Sequence, residues 1–153
     1  MLWWATVLAA AMTVGGCSSR AVELDTAADF ERTVQSDRPV LVMFWKWGCA
    51  ACYSLDPCID NLAAEYAGRA TVAKLMILNL VFVSPVPEIQ SRYEIYLVPT
   101  VILFVNGQEK ERWTMNYNQA SYKRALNAVV GPPVQAASLP PGHPAAGLSA
   151  RTP

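Results

Sequence analysis

Histidine is nearly missing from this chain: the single copy, His143, lies in a proline-rich tail. The folded part therefore has no imidazole with which to build a histidine-ligated metal centre. An excess of either charge is also lacking. Twelve Lys and Arg stand against twelve Asp and Glu, which leaves no bulk pull toward nucleic acid or anionic lipid, so neither partner is expected. Four cysteines are too few for a disulfide-stapled scaffold, so they mark a site, or two sites. No long apolar run is present either. The stretch ahead of Arg20, the first charged residue, holds about 15 apolar residues, short of the ~20 that a spanning helix needs. No internal repeat is visible, and 153 residues suffice for one domain with a real core but not for two.

What is there begins with MLWWATVLAAAMTVGGCSS, which closes on small residues as a signal peptide does. Val14-Gly15-Gly16-Cys17 resembles a bacterial lipobox. That resemblance implies a lipoprotein signal peptide over residues 1–16, a lipidated Cys17, and a linker over 17–24. An uncleaved membrane anchor is the other reading, and a mis-assigned start codon a third. In each case the domain is expected to face an extracytoplasmic space, where disulfides persist. The expected location is the periplasm-facing side of a bacterial membrane.

Along the chain, the stretch Ala21 to Ser36 contains a helix, with Ala27, Phe30 and Val34 at helical spacing after a cap at Asp25 or Thr26. Val40 to Trp45 is a continuous apolar run, as a strand buried on both faces requires. The helix that follows carries Leu55, Ile59, Leu62 and Tyr66 on one stripe and stops at Gly68. Ala70 to Val83 starts as a second apolar strand, and PEIQSRYEI reads as a short helix. TVILFV is a third strand, Asn106-Gly107 a hairpin signal, and QEKERWTM the returning strand. A last helix begins at Asn118 or Ser121. Beyond Gly131, residues 132–153 are dominated by proline, alanine, glycine and serine and are expected to form a disordered tail. The domain is thus expected over residues 25–131, as an α/β fold with a mixed sheet covered by helices on both sides.

Three of the four cysteines fall in FWKWGCAACYSLDPC, Phe44 to Cys58. Cys49-Ala50-Ala51-Cys52 sets two thiols three residues apart where a strand passes into a helix. A helix beginning near Cys49 would stabilise a thiolate there through its free amides and positive dipole end. Cys52, one turn inward, can then close a small disulfide ring. In this reading Cys49 attacks or receives a disulfide, and Cys52 resolves the mixed intermediate. No diffusible cofactor is needed, because the pair itself carries the two electrons. Cys58 sits on a different side of the helix from either partner and has two readings, a small packed hydrophobe or a second redox thiol. Metal binding through Cys49, Cys52 and Cys58 is not expected without a histidine in the domain.

VMFWKWGCAAC, the proline at Pro57, VAKL at Val72 to Leu75, VPT at Val98 to Thr100, and the turn at Asn106-Gly107 occur in the order seen in thioredoxins. From about Ala21 to Gly131 the chain resembles a thioredoxin-fold domain, particularly those of lipid-anchored bacterial thioredoxin-like proteins. The resemblance implies a central sheet of four to five strands. It implies a cis peptide bond before Pro99, in a loop that faces the cysteines and pairs with an extended substrate. Val98 and Pro99 are therefore expected to bind substrate, with Trp47 as a further contact. Thioredoxins carry a buried aspartate six residues before the first cysteine, where it assists proton transfer at the resolving thiol. Here that position is Met43, and Lys74 matches the lysine that neighbours the aspartate. Without that partner Lys74 either keeps its charge or loses it to desolvation. Gly48 stands where a tryptophan is usual.

The function implied is thiol–disulfide exchange on extracytoplasmic client proteins by a lipid-anchored monomer, regenerated by a membrane or periplasmic redox partner. The alternative is a redox-inert thioredoxin-like binding module tethered to the membrane.

Overall fold

The computed structural model describes residues 20–131. Cys17, the signal segment, His143 and the tail over 132–153 lie outside them. Five strands and four helices follow in the order β1 (Val22–Leu24), α1 (Ala27–Val34), β2 (Val40–Lys46), α2 (Ala50–Glu65), β3 (Thr71–Leu78), α3 (Pro87–Arg92), β4 (Thr100–Val105), β5 (Gln108–Thr114) and α4 (Gln119–Val130). One mixed sheet has the strand order β1-β3-β2-β4-β5. β3 runs parallel to both β1 and β2, whereas β4 is antiparallel to β2 and to β5. The expected mixed sheet is therefore present, with five strands.

Helices on both sides of the sheet explain why β2 and β4 are apolar without alternation. Leu41, Met43, Val101 and Leu103 enter a core with Leu55, Ile59 and Tyr66 of α2 and with Tyr122 and Leu126 of α4. Val40, Val42, Phe44, Ile102 and Phe104 enter the opposite core, under α1 and α3. There Phe30 of α1 meets Phe44, Tyr93 and Phe104 with ring centroids 5.4–5.9 Å apart. Thr26 caps α1, its hydroxyl accepting the Asp29 N–H at 3.1 Å, and Asn118 caps α4 in the same manner. Asn106 and Gly107 both have positive φ, 51° and 74°, as a two-residue hairpin turn of this kind demands.

Two local expectations change. The N-terminal helix begins after its Thr26 cap as expected, but Val22–Leu24 ahead of it pairs with Ala73–Leu75 as edge strand β1. The folded unit thus reaches into the stretch read as linker. The apolar run after β3 leaves the sheet at Leu78. Asn79 Oδ1 accepts the N–H groups of Val81 and Val83, each at 3.0 Å, and folds Leu80–Val83 into an exposed turn. Trp113 is buried edge-on against Tyr122, with centroids 5.1 Å apart. Among the described residues no helix is long and apolar enough to cross a membrane.

Candidate active site

The cysteine segment is held at the end of the two central parallel strands. Pairing of β2 with β3 shifts register between Trp45 and Lys46, and the Trp47 N–H donates to the Leu78 carbonyl at 2.9 Å. Gly48 then reverses the chain with φ of 72°, in the left-handed region that glycine enters without strain. This conformation gives a physical reason for glycine, in place of tryptophan, just before Cys49. The Gly48 N–H donates to the Tyr53 hydroxyl at 2.9 Å, which closes the turn over the start of α2.

Cys49 is the N-cap of α2, and its Sγ accepts the Cys52 N–H at 3.2 Å. A disulfide joins Cys49 to Cys52, whose Cα atoms are 5.2 Å apart. The two cysteines differ in access: Cys49 retains 8% exposure as a residue and Cys52 only 1%. Cys49 Sγ lies 4.0 Å from the Val98 carbonyl oxygen, and the Val98–Pro99 peptide is cis. The fold thus brings together Cys49, Cys52, Val98 and Pro99 from positions far apart in sequence. Trp47 stands beside them, 53% exposed. The exposed turn at Leu80–Val83 reaches the same edge, where Leu80 and Phe82 line a depression with Lys46, Trp47, Gly48 and Asn79.

Lys74 occupies the other side of Cys52. Its side chain is buried, and its ammonium pairs with Asp56 at 2.6 Å, Asp60 at 2.9 Å and Glu23 at 3.5 Å. Burial alone would lower the Lys74 pKa, but hydrogen bonds and charge from Asp56 and Asp60 outweigh it and raise the pKa above the ordinary lysine value. The lysine keeps its charge. Burial likewise pushes the Asp60 carboxyl up, yet hydrogen bonds from Lys74 and the Ala21 N–H hold it below the usual aspartate range. Met43, in register with Lys74 on β2, is buried and offers no proton site.

Glu23, Asp56 and Asp60 escaped the sequence reading. Cys52, Asp56 and Asp60 recur at four-residue steps along α2, so one stripe of that helix carries a thiol and two carboxylates. That spacing was the available signal. Glu23 had none, since it sits on a strand of only three residues. Cys58 is a free thiol, partly buried against the α2/α4 core, and desolvation pushes its pKa up, which favours the packing reading.

Comparison with known proteins agrees with this geometry. The thioredoxin family model matches residues 21–130. A thioredoxin of Alicyclobacillus acidocaldarius subsp. acidocaldarius is 39% identical over 83 residues, 54% of this chain and 73% of that protein.

The chain belongs to the thioredoxin family.

A bifunctional thioredoxin reductase/thioredoxin of Mycobacterium leprae (strain TN) is 32% identical over 127 residues, 83% of this chain. The match spans only 26% of that longer protein. Among solved structures, a mutant thioredoxin from Halobacterium salinarum NRC-1 superposes with a TM-score of 0.61 at 20% identity, over 74% of this chain and 93% of that one. Malassezia sympodialis thioredoxin gives 0.62 at 18% identity, over 72% and 90% of the two chains. These two likenesses speak to the fold. Family membership and the Cys49–Cys52 pair together make the chain a thiol–disulfide oxidoreductase of the thioredoxin family, acting through a redox-active disulfide.

Proposed function

We propose that this thioredoxin-family chain exchanges thiols and disulfides with protein clients outside the cytoplasm, held at a bacterial membrane by lipid on Cys17. The observation that carries the chemistry is the unequal exposure of the two cysteines of one disulfide at the start of α2. Cys49 is the attacking sulfur, because it caps the helix and faces the Val98 carbonyl. Its thiolate is stabilised by the helix start and the Cys52 N–H. Cys52, which solvent hardly reaches, is the resolving thiol. Val98 and Pro99 present backbone to an extended client segment.

The rim bears on client choice. Trp47, Leu80, Phe82, Tyr96 and Leu97 are all more than half exposed, an apolar border that suits unfolded or partly folded proteins whose cysteine lies in an apolar stretch. The extracytoplasmic setting rests on the lipobox-like Val14-Gly15-Gly16-Cys17 and the apolar run before it. An acyl chain on Cys17, with the further chains of a mature lipoprotein, suffices for stable attachment.

The test has two arms. The purified chain is expected to reduce insulin or to reoxidise a reduced, unfolded protein, and inactivity in both assays would leave the tethered binding module as the better reading. In a bacterial host, a palmitate analogue is expected to label the chain and to be lost in Cys17→Ala. An unlabelled, soluble wild type would remove the anchor.

A further inference from the structure

Closing the Cys49–Cys52 disulfide needs somewhere for the Cys52 proton to go. At 1% exposure Cys52 does not meet bulk solvent directly. It does line a cavity of about 180 Å³, together with Glu23, Met43, Trp45, Tyr53, Asp56 and Lys74. That volume admits several waters. The Trp45 indole N–H is buried without a hydrogen-bond partner among the described residues, and such a group is costly unless water satisfies it. The cavity is thus a wet outlet, and Cys52 is the one thiol that opens into it.

The charged groups around it are not equivalent. Glu23 on β1, Lys74 on β3 and Met43 on β2 are in register, so the three residues form one row across adjacent strands. Asp56 and Asp60 approach the lysine from α2, and Arg20 adds positive charge near Asp60. Tyr53, half exposed, completes the cavity wall from the helix start, with its hydroxyl on the Gly48 N–H. Asp56 and Asp60 hold the ammonium closely, at 2.6 and 2.9 Å, and Asp60 also accepts the Ala21 N–H at 3.0 Å. Glu23 is bound most loosely, at 3.5 Å. Burial raises the Glu23 pKa, with Lys74 offsetting only part of the rise, while Asp60 is shifted down. Two carboxyls of one cluster pushed in opposite directions mark which of them exchanges a proton.

We propose that Glu23 accepts the Cys52 proton, relayed by water through the Met43–Lys74 cavity, and that Asp56, Asp60 and Lys74 keep it in place. The inference rests on the exchange chemistry proposed above. Reduced Cys49 attacks a disulfide, which breaks to release one thiolate and leaves a mixed disulfide on Cys49. The Cys52 thiol then gives its proton to the Glu23 carboxylate and attacks Cys49 Sγ. The Cys49–Cys52 bond forms, the mixed disulfide breaks, and the second thiolate departs. The dithiol is oxidised by two electrons, and the substrate disulfide is reduced by two. When the pair is reduced again, Glu23 returns the proton.

The test uses the full chain with Cys17→Ala and Cys58→Ala, reduced and mixed with 5,5′-dithiobis(2-nitrobenzoate) in a stopped-flow instrument. The first thionitrobenzoate released reports attack by Cys49, and the second reports resolution by Cys52. Glu23→Gln is expected to slow the second phase by about tenfold, below the 10²–10⁴ typical of positioned acid–base groups because water is a partial substitute. The first phase should be unchanged, and the pH profile of the second should lose the inflection due to the carboxyl. Glu23→Asp should retain part of the rate, and Met43→Asp added to Glu23→Gln should restore it. An unchanged second phase and pH profile in Glu23→Gln, or equal slowing of both phases, would overturn the proposal. Because the reagent is a small disulfide, failure of the unaltered chain on insulin would remove the protein-client reading and leave this test intact.

Discussion

The two faces of the sheet are built to different rules, and β3 shows both at consecutive residues. Ala73 and Leu75 enter the α1/α3 side, where the core is apolar throughout and four aromatic rings interlock. Lys74, between them, enters the α2 side among three carboxylates, beside a cavity that Cys52 also lines. It is the one charged side chain buried among the described residues. The dry face has no titratable group beside a reactive atom and serves to hold the sheet. The charged face places a cluster that costs desolvation beside the buried cysteine of the disulfide. One sheet thus separates stability from reactivity by a single step along a strand.

That separation can be broken from either side. Phe30→Ala removes the ring at the centre of the dry face and is expected to cost about 3–5 kcal/mol of stability. Urea unfolding would measure the loss, while the exchange rate per folded molecule should stay at the wild-type value. Lys74→Met strikes the charged face, where the carboxylates are partly solvated, and the expected cost is smaller, about 1–3 kcal/mol. Its signature is in pH. The Lys74 pKa is raised, so its contribution is complete below the ordinary lysine value and lost as pH climbs through the folded value. The Asp60 pKa is lowered, so its contribution is present above the ordinary aspartate value and lost as pH falls through the folded one. Glu23, raised, acts in the opposite sense and loses stability as pH rises through its folded value. Thermal melts across pH should therefore show acid and alkaline arms in the wild type that flatten in Lys74→Met. Met43→Asp has the smallest expected effect. It places a carboxylate where thioredoxins carry their buried aspartate, in register with Lys74. With Glu23 already on the cavity, the acceleration in an otherwise wild-type chain should stay under about threefold in the second stopped-flow phase.

The parts legible in the sequence were those with an unbroken signature. Val40–Trp45 and Thr100–Val105 read as strands because burial on both faces leaves a continuous apolar run. Asn106-Gly107 read as a turn because two positive φ values favour those residues. The cysteine pair was legible because its spacing matches one helical turn. Three-residue β1 was masked by the helix pattern that follows it. The turn at Leu80–Val83 was read as strand because its residues are apolar, and what folds it outward is the side chain of Asn79. The environment of Lys74 is non-local: its carboxylates come from β1 and α2, and only register across the sheet brings Glu23 to it.

The central claim is that the two sulfurs of the Cys49–Cys52 pair have unequal roles, with Cys49 meeting the client and Cys52 turning inward. Incubating Cys52→Ser and Cys49→Ser variants with a protein disulfide, followed by non-reducing electrophoresis and peptide mass spectrometry, tests it directly. The account predicts a stable mixed disulfide on Cys49 in Cys52→Ser and no exchange in Cys49→Ser. A client adduct on Cys52 in Cys49→Ser, formed as fast as the adduct on Cys49, would contradict it.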